Sequence, residues 1–273
     1  MTTPEPDETG QADDVRTEPA RGRGPAPSHY SAQTKARFVE TRKVHAVRRH
    51  LALSLRVRQP VLIWGDVGLG KTSAVRWTLG QLVGGEFAEI TFAQNPNRRE
   101  NIAAVHDALR GFPGVGTAAS IERATKRWIC DHPFVLVVDE IETIALDRLA
   151  MLRTLMDHPG SQLVLVLIGS KEARGRITAD PRFMSRLLTD VAFSPMGKEA
   201  TYPAMREYHP AYREMPRTTL REIYELRTRG EWRAIAKFTA CLEWAAEELG
   251  DDIANVAEST LSAASRYFAG GAT

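Results

Sequence analysis

The stretch Gly65-Asp66-Val67-Gly68-Leu69-Gly70-Lys71-Thr72 sets glycines, a lysine and a hydroxyl at the spacing G-x-x-x-x-G-K-[ST]. Glycines let a backbone wrap closely round phosphate oxygens and turn its N–H groups towards them, most effectively at the start of a helix. Lys71 would bring a compact positive charge to the β and γ oxygens, and the Thr72 hydroxyl would be a ligand for Mg²⁺. A second stretch, Phe134-Val135-Leu136-Val137-Val138-Asp139-Glu140, is an apolar run closed by two carboxylates. A strand ending this way places Asp139 beside the metal ion and its water shell. Glu140, one residue on, is then placed to polarise an attacking water as general base.

Other positions carry weaker signals. Leu163-Val164-Leu165-Val166-Leu167-Ile168 is an apolar run ending at Gly169-Ser170, and Ser170 at such a strand tip could position the lytic water or be an ordinary serine. In Arg182-Phe183-Met184-Ser185-Arg186, either arginine could reach the γ-phosphate of a neighbouring subunit or pair with a surface acid. Arg233, in Gly230-Glu231-Trp232-Arg233, could fold over the nucleotide from a separate helical unit. Arg98 and Arg99, with Asn95 and Asn97, are expected in a polar loop over 94–100, where they would suit a phosphate backbone or a solvated turn equally.

Short apolar runs over 61–64, 88–92, 134–138 and 163–168 read as strands, the first bounded by Pro60. Between them, helical spacing covers 40–55, about 71–82, 101–109, 121–130 and 146–156. Alternating strands and helices imply a covered parallel sheet. From Leu220 only helices are expected, over 220–226, 232–249 and 253–268, with the change of character in the proline-bearing stretch from Pro195 to Pro216. The expected division is a tail at 1–34, a nucleotide-binding core at 35–199 and a small all-helical lid at 200–273.

The tail holds six acids and three arginines among Pro, Gly, Thr and Ala, too few apolar groups to offset chain entropy, and is expected to be disordered. Residues 35–58 then carry eight Lys or Arg against the single acid Glu40. No apolar run approaches the ~18–20 residues that cross a bilayer, and no secretory signal is visible, so a cytoplasmic address without membrane contact is expected. Cys130 and Cys241 lack metal or redox spacing and read as buried small hydrophobes. The seven histidines show no metal-like pairing.

With these motifs in this order, the chain resembles the AAA+ superfamily over roughly residues 40–250, and within it the bacterial transposition ATPases of the TniB, TnsC and Mu B type. ORC/Cdc6-like and ExeA-like ATPases are related. The finer resemblance rests on Leu167-Ile168-Gly169-Ser170-Lys171-Glu172-Ala173 through Asp180-Pro181-Arg182-Phe183-Met184-Ser185-Arg186, which is similar to a TniB stretch. Ser170 stands where many relatives carry Thr or Asn, and no winged helix is evident. The resemblance implies ATP in preference to GTP, ATP-dependent assembly into rings or filaments around DNA, and a transposase or recombination partner. A protein-remodelling ATPase and a nucleotide-dependent scaffold switch are the alternatives. The absence of an aromatic–aliphatic pair in 94–100 argues against the first, and the intact Glu140 against the second.

Overall fold

Every residue of Leu163–Gly169 is buried, which a strand tolerates only when both faces of its sheet are covered. In the computed structural model, which describes residues 33, 35–93 and 97–270, this strand (β4) is central to a five-stranded parallel sheet. The order is β2 (Phe87–Thr91), β3 (Phe134–Asp139), β4, β1 (Val61–Trp64) and β5 (Thr189–Ala192). In register, Val61 lies beside Val166 and Thr189, and Phe134 beside Leu163.

The alternation of side chains along the strands divides the core in two. Leu136, Val138, Leu165 and Leu167 join residues of α3 (Arg98–Arg110), α4 (Ala118–Asp131), α5 (Leu146–Met156) and α6 (Lys171–Ala179). Val135, Val137, Val164, Val166 and Ile168 join α1 (Arg42–Val57) and α2 (Lys71–Val83). A short α7 (Pro181–Met184) leads into β5. The helices α8 (Lys198–Tyr208), α9 (Arg217–Ile223), α10 (Trp232–Leu249) and α11 (Glu258–Phe268) bury a third core round Tyr212, Phe238 and Leu242. They reach back to the start of the chain: Arg37 N–H donates to the Tyr208 carbonyl (2.8 Å) and Gln33 Nε2 to the Ala236 carbonyl (2.7 Å). The parallel sheet flanked by helices and followed by helices alone agrees with the α/β expectation.

Several boundaries differ, each for a local reason. The first helix starts and stops two residues later than its apolar spacing suggests. The Thr41 side chain caps its start, and Arg58 ends it in the left-handed region at φ 53°. Within the stretch 94–100 expected to be a loop, a helix has begun by Arg98. The Asn97 side chain accepts from Glu100 N–H while Glu100 bonds back to Asn97 N–H, so α3 begins at Arg98 and both arginines are helical. Residues 94–96, Asn95 included, lie outside the described set, as does the tail 1–34 apart from Gln33. Helix α8, with Pro203 inside it, occupies part of the stretch read as a boundary, and β5 was not foreseen. The last helix begins at Glu258 instead of residue 253. Cys130 and Cys241 are free and only half-buried, a correction to the reading of both as core residues. No described helix is long and apolar enough to cross a membrane.

Candidate nucleotide site

The carboxyl ends of β1, β3 and β4 converge, because all five strands are parallel and β4 separates β3 from β1. In open α/β sheets this edge is where ligands bind. The glycine-rich loop leaves β1 at Gly65, whose N–H donates to the Gly169 carbonyl at the end of β4 (3.2 Å), and enters α2 at Lys71. Gly65 has φ 146°, and a Cβ there would meet the Phe193 carbonyl oxygen at 2.4 Å. Gly65→Ala should therefore force the loop off β5 at a cost of about 1–3 kcal/mol. In a chain of this size that lowers the melting temperature by about 3–10 °C, with nucleotide affinity falling alongside; calorimetry and a titration check both.

Lys71 Nζ donates to the Gly65 and Asp66 carbonyls at 2.8 and 2.9 Å. Burial holds its ammonium below the ordinary lysine value; the carboxylates of Asp139, Glu142 and Asp66 oppose that and Arg233 adds to it. A cation this short of solvent gains much from an anionic ligand. Val67 is exposed at 62% and Leu69 is buried, so the loop turns one side outward and pins the other into the core. Thr72 Oγ1 donates to Asp139 Oδ2 at 2.6 Å, a bond that spans the width of β4.

These two oxygens fit Mg²⁺. Among the described residues no group of three or more His, Cys, Asp or Glu could hold a metal by itself. One hydroxyl and one carboxylate suit an ion that keeps several waters and shares ligands with phosphates. Glu140 follows with φ 54°, its N–H donating to Asp139 Oδ1 (2.8 Å) and its side chain exposed. A non-glycine residue in this region is uncommon and strained, and such strain gathers at functional positions. Ser170 lies at the tip of β4, between the strands that carry Gly65 and Asp139. Its Oγ accepts from Ala173 N–H (3.3 Å) as the cap of α6, so the hydroxyl has a structural task already.

The start of α10 lies on the phosphate loop. Arg233 N–H donates to the Gly68 carbonyl (2.9 Å), and a Cβ on Gly68 would meet Arg233 Cβ at 3.0 Å. Trp232 sits beside it, its Cδ1 3.1 Å from where a Gly70 Cβ would be.

Arg186 is placed elsewhere. It follows α7 at the amino-terminal edge of the sheet, where Leu188 N–H donates to the Pro60 carbonyl just before β1. The seven residues of β4 separate the two edges by about 23 Å, too far for one side chain to cross. There Arg186 Nε donates to Asp157 Oδ1 (2.6 Å) and Nη1 to the Arg182 carbonyl (2.7 Å). Arg182 and Arg186 line one wall of an open cleft of about 520 Å³ with Lys126 and Arg153, Asp157 being its acid.

Two neighbours of the site escaped sequence reasoning. Glu142 Oε2 accepts from Ser170 N–H (3.1 Å) and its charge is felt at Lys71, so it ties the end of β3 to the tip of β4. Its signal was a third acid two residues beyond Glu140. Trp232, the neighbour of Arg233, packs against the Gly70 turn of the loop, and sequence spacing alone does not bring the indole there.

Comparison with known proteins agrees with this geometry. Residues 55–177 match the family model described as "AAA domain". No curated protein sequence matches significantly. Among solved structures, Cdc6p from Pyrobaculum aerophilum superposes with a TM-score of 0.69 at 17% identity, over 86% of this chain and 69% of that one. The Aeropyrum pernix ORC2 protein, in ADPNP–ADP complexes, gives 0.67 at 16% identity over 86% and 70%. RuvB of Thermotoga maritima, a Holliday junction branch migration motor, gives 0.53 at 15% identity over 80% and 67%. At such identities the likeness is one of fold. The chain has the P-loop AAA+ fold, and residues 55–177 are the part similar to the AAA domain model.

Proposed function

We propose that this chain is an ATP-hydrolysing AAA+ ATPase that assembles on duplex DNA and recruits or regulates a transposase or another recombination enzyme. The observation that carries the ATPase reading is the 2.6 Å bond from Thr72 to Asp139, which joins the phosphate loop to the strand end bearing Glu140. In this reading residues 35–199 form the nucleotide-binding core and residues 200–273 a helical lid. The loop from Gly65 to Thr72 cradles the phosphates, and Lys71 leaves its two carbonyl partners for the β and γ oxygens. Mg²⁺, held by Thr72 and the water shell on Asp139, would supply charge neutralisation at those oxygens. Glu140 takes the proton of the attacking water. Ser170 and Glu142 fix the tip of β4 beside it, and Arg233 reports the phosphates to the lid. ATP over GTP rests on the resemblance.

Arg186 acts in trans in this reading, because its own phosphate loop lies at the other edge of the sheet. Arg186→Ala subunits should bind ATP normally and hydrolyse it weakly. Mixed with Lys71→Ala subunits they should regain part of the activity, each mutant retaining the half-site that the other lacks. No rescue at any mixing ratio would return Arg186 to a structural role beside Asp157.

The DNA-acting reading draws on the resemblance to transposition ATPases and on the likeness in fold to a branch migration motor. Its test is ATPase rate and particle size with and without duplex DNA. Both should rise with ATP and duplex together, and indifference of both to DNA would sink the reading. One observation favours a second reading, a protein-remodelling ATPase. The glycine-rich segment 111–117 exposes Phe112 (48%) and Val115 (87%), an aromatic–aliphatic pair of the kind that grips polypeptide. Stimulation of the ATPase by an unfolded polypeptide, and none by duplex, would establish it.

A further inference from the structure

Accepting the DNA-acting reading, we propose that the duplex is held by the outer face of α1 at the β5 edge of the sheet, and not by Arg98 and Arg99. Helix α1 buries Val44, Val47, Leu51 and Ser54 against α2 and the sheet and turns Arg42, Arg48, Arg49 and Arg56 outward, with Arg58 just past its end. Among the described residues none of these five side chains has a hydrogen-bond or ion-pair partner. Several arginines elsewhere are committed, Arg76 to Glu89, Arg174 to Asp190 and Arg186 to Asp157. Glu40, the one acid nearby, is taken by Trp77 Nε1 and His45. A helix that turns four unpaired arginines to one side, with no acid opposing them, is complementary to a polyanion.

The spacing suits DNA. Arg42, Arg49 and Arg56 recur every seventh residue and so form one stripe, with steps of about 10 Å along the helix axis. That step is close to the ~12 Å width of the major groove, so successive arginines can reach phosphates on both of its walls. The apolar face of α1 is spent on the core, which leaves Leu53 and Val57 as its exposed large hydrophobics and no face to enter a membrane.

The start of α3 is poorly suited. Arg98 Nη2 pairs with Glu122 (2.9 Å) and Arg99 Nε donates to the Gly116 carbonyl (2.8 Å). Helix α3 also packs over β2 and β3 on the opposite face of the sheet from α1, which packs over β1 and β5. The two patches are separate sites.

The test is anisotropy of two labelled duplexes of unrelated sequence, using the full chain with a non-hydrolysable ATP analogue over a salt series. Replacing Arg42, Arg49 and Arg56 together with Ala should weaken both duplexes alike, by about tenfold or more at low salt, and reduce the slope of log K against log salt by about 2–3. Lysine at the same three positions should keep most of the affinity, since phosphates need only a positive charge there. These side chains have no partner to lose, so thermal melting of both variants should match the wild type. If the alanine variant keeps the wild-type slope while Arg98→Ala/Arg99→Ala loses it, the duplex lies on α3 and the present inference is wrong. If the wild type binds neither duplex even at about 50 mM salt, the DNA-acting reading falls and this inference with it. Flotation with phosphatidylserine vesicles in that case would assign the arginine stripe to an anionic surface instead.

Discussion

Replacing Glu140 with glutamine is expected to leave ATP binding intact and to cut turnover by about 10²-fold or more. The two side chains share size and polarity, but the amide cannot accept a proton from water. The backbone at this position is held independently of that chemistry. Its N–H is bonded to Asp139 Oδ1, its carbonyl accepts from Thr143 N–H and Oγ1, and neither its φ of 54° nor these bonds involve the side chain. ATP-bound assemblies of the variant should persist, visible as larger particles in light scattering long after wild-type assemblies have decayed. Phosphate release gives the rate, and a wild-type rate would remove Glu140 from the mechanism. Glu140→Gly provides the complementary control. Glycine adopts this backbone without strain, so that variant should melt no lower than the wild type while losing turnover to the same extent. A large fall in its melting temperature would mean that the carboxylate supports the fold, and the turnover loss would then lose its chemical interpretation.

The parts of this site that were legible in the sequence are those whose chemistry requires adjacent residues. A phosphate cradle needs its glycines, lysine and hydroxyl on one turn, and a strand-end acid pair needs an apolar run before it, so Gly65 to Thr72 and Asp139-Glu140 announce themselves. The expected strand at 61–64 is the strand observed, because Pro60 and Gly65 bound it on both sides. Features that run against local composition, or that distant partners set, were not legible. Arg98 and Arg99 read as loop residues because Pro96 and two asparagines surround them. The capping box of Asn97 and Glu100 outweighs that composition and starts a helix at once. Strand β5 has only four residues and draws its identity from pairing with β1, far away in sequence. Helix α8 is hidden by Pro203, whose cost is offset by the buried Thr201, Tyr202, Ala204 and Met205. That Asp157 holds Arg186 follows from which ends of which elements meet, and no local pattern encodes it.

The largest effect is expected from Lys71→Ala, which should abolish nucleotide binding while leaving the fold intact. Without a nucleotide, Lys71 Nζ serves only the Gly65 and Asp66 carbonyls, which lie at the loop edge where water can replace the lysine. Removing a half-buried ammonium also removes a desolvation cost, so the apo protein should melt within a few degrees of the wild type. With phosphates present the balance changes. The loop amides alone must then meet the charge that Lys71 would have offset, and Asp66, Asp139 and Glu142, whose fields Lys71 balances, turn their unopposed charge on the anion. Thermal melting reads both arms of the prediction in one experiment. ATP at about 100 times its Kd stabilises a native protein by about 2.7 kcal/mol, which for a chain of this size raises the wild-type midpoint by about 5–10 °C. The Lys71→Ala midpoint should not move with ATP, and titration with a fluorescent ATP analogue should find no saturable site. A variant that shows the wild-type shift would place the triphosphate somewhere other than the loop between β1 and α2. A variant already unfolded without ATP would show instead that the lysine holds the loop together, a role that its two carbonyl bonds do not lead one to expect.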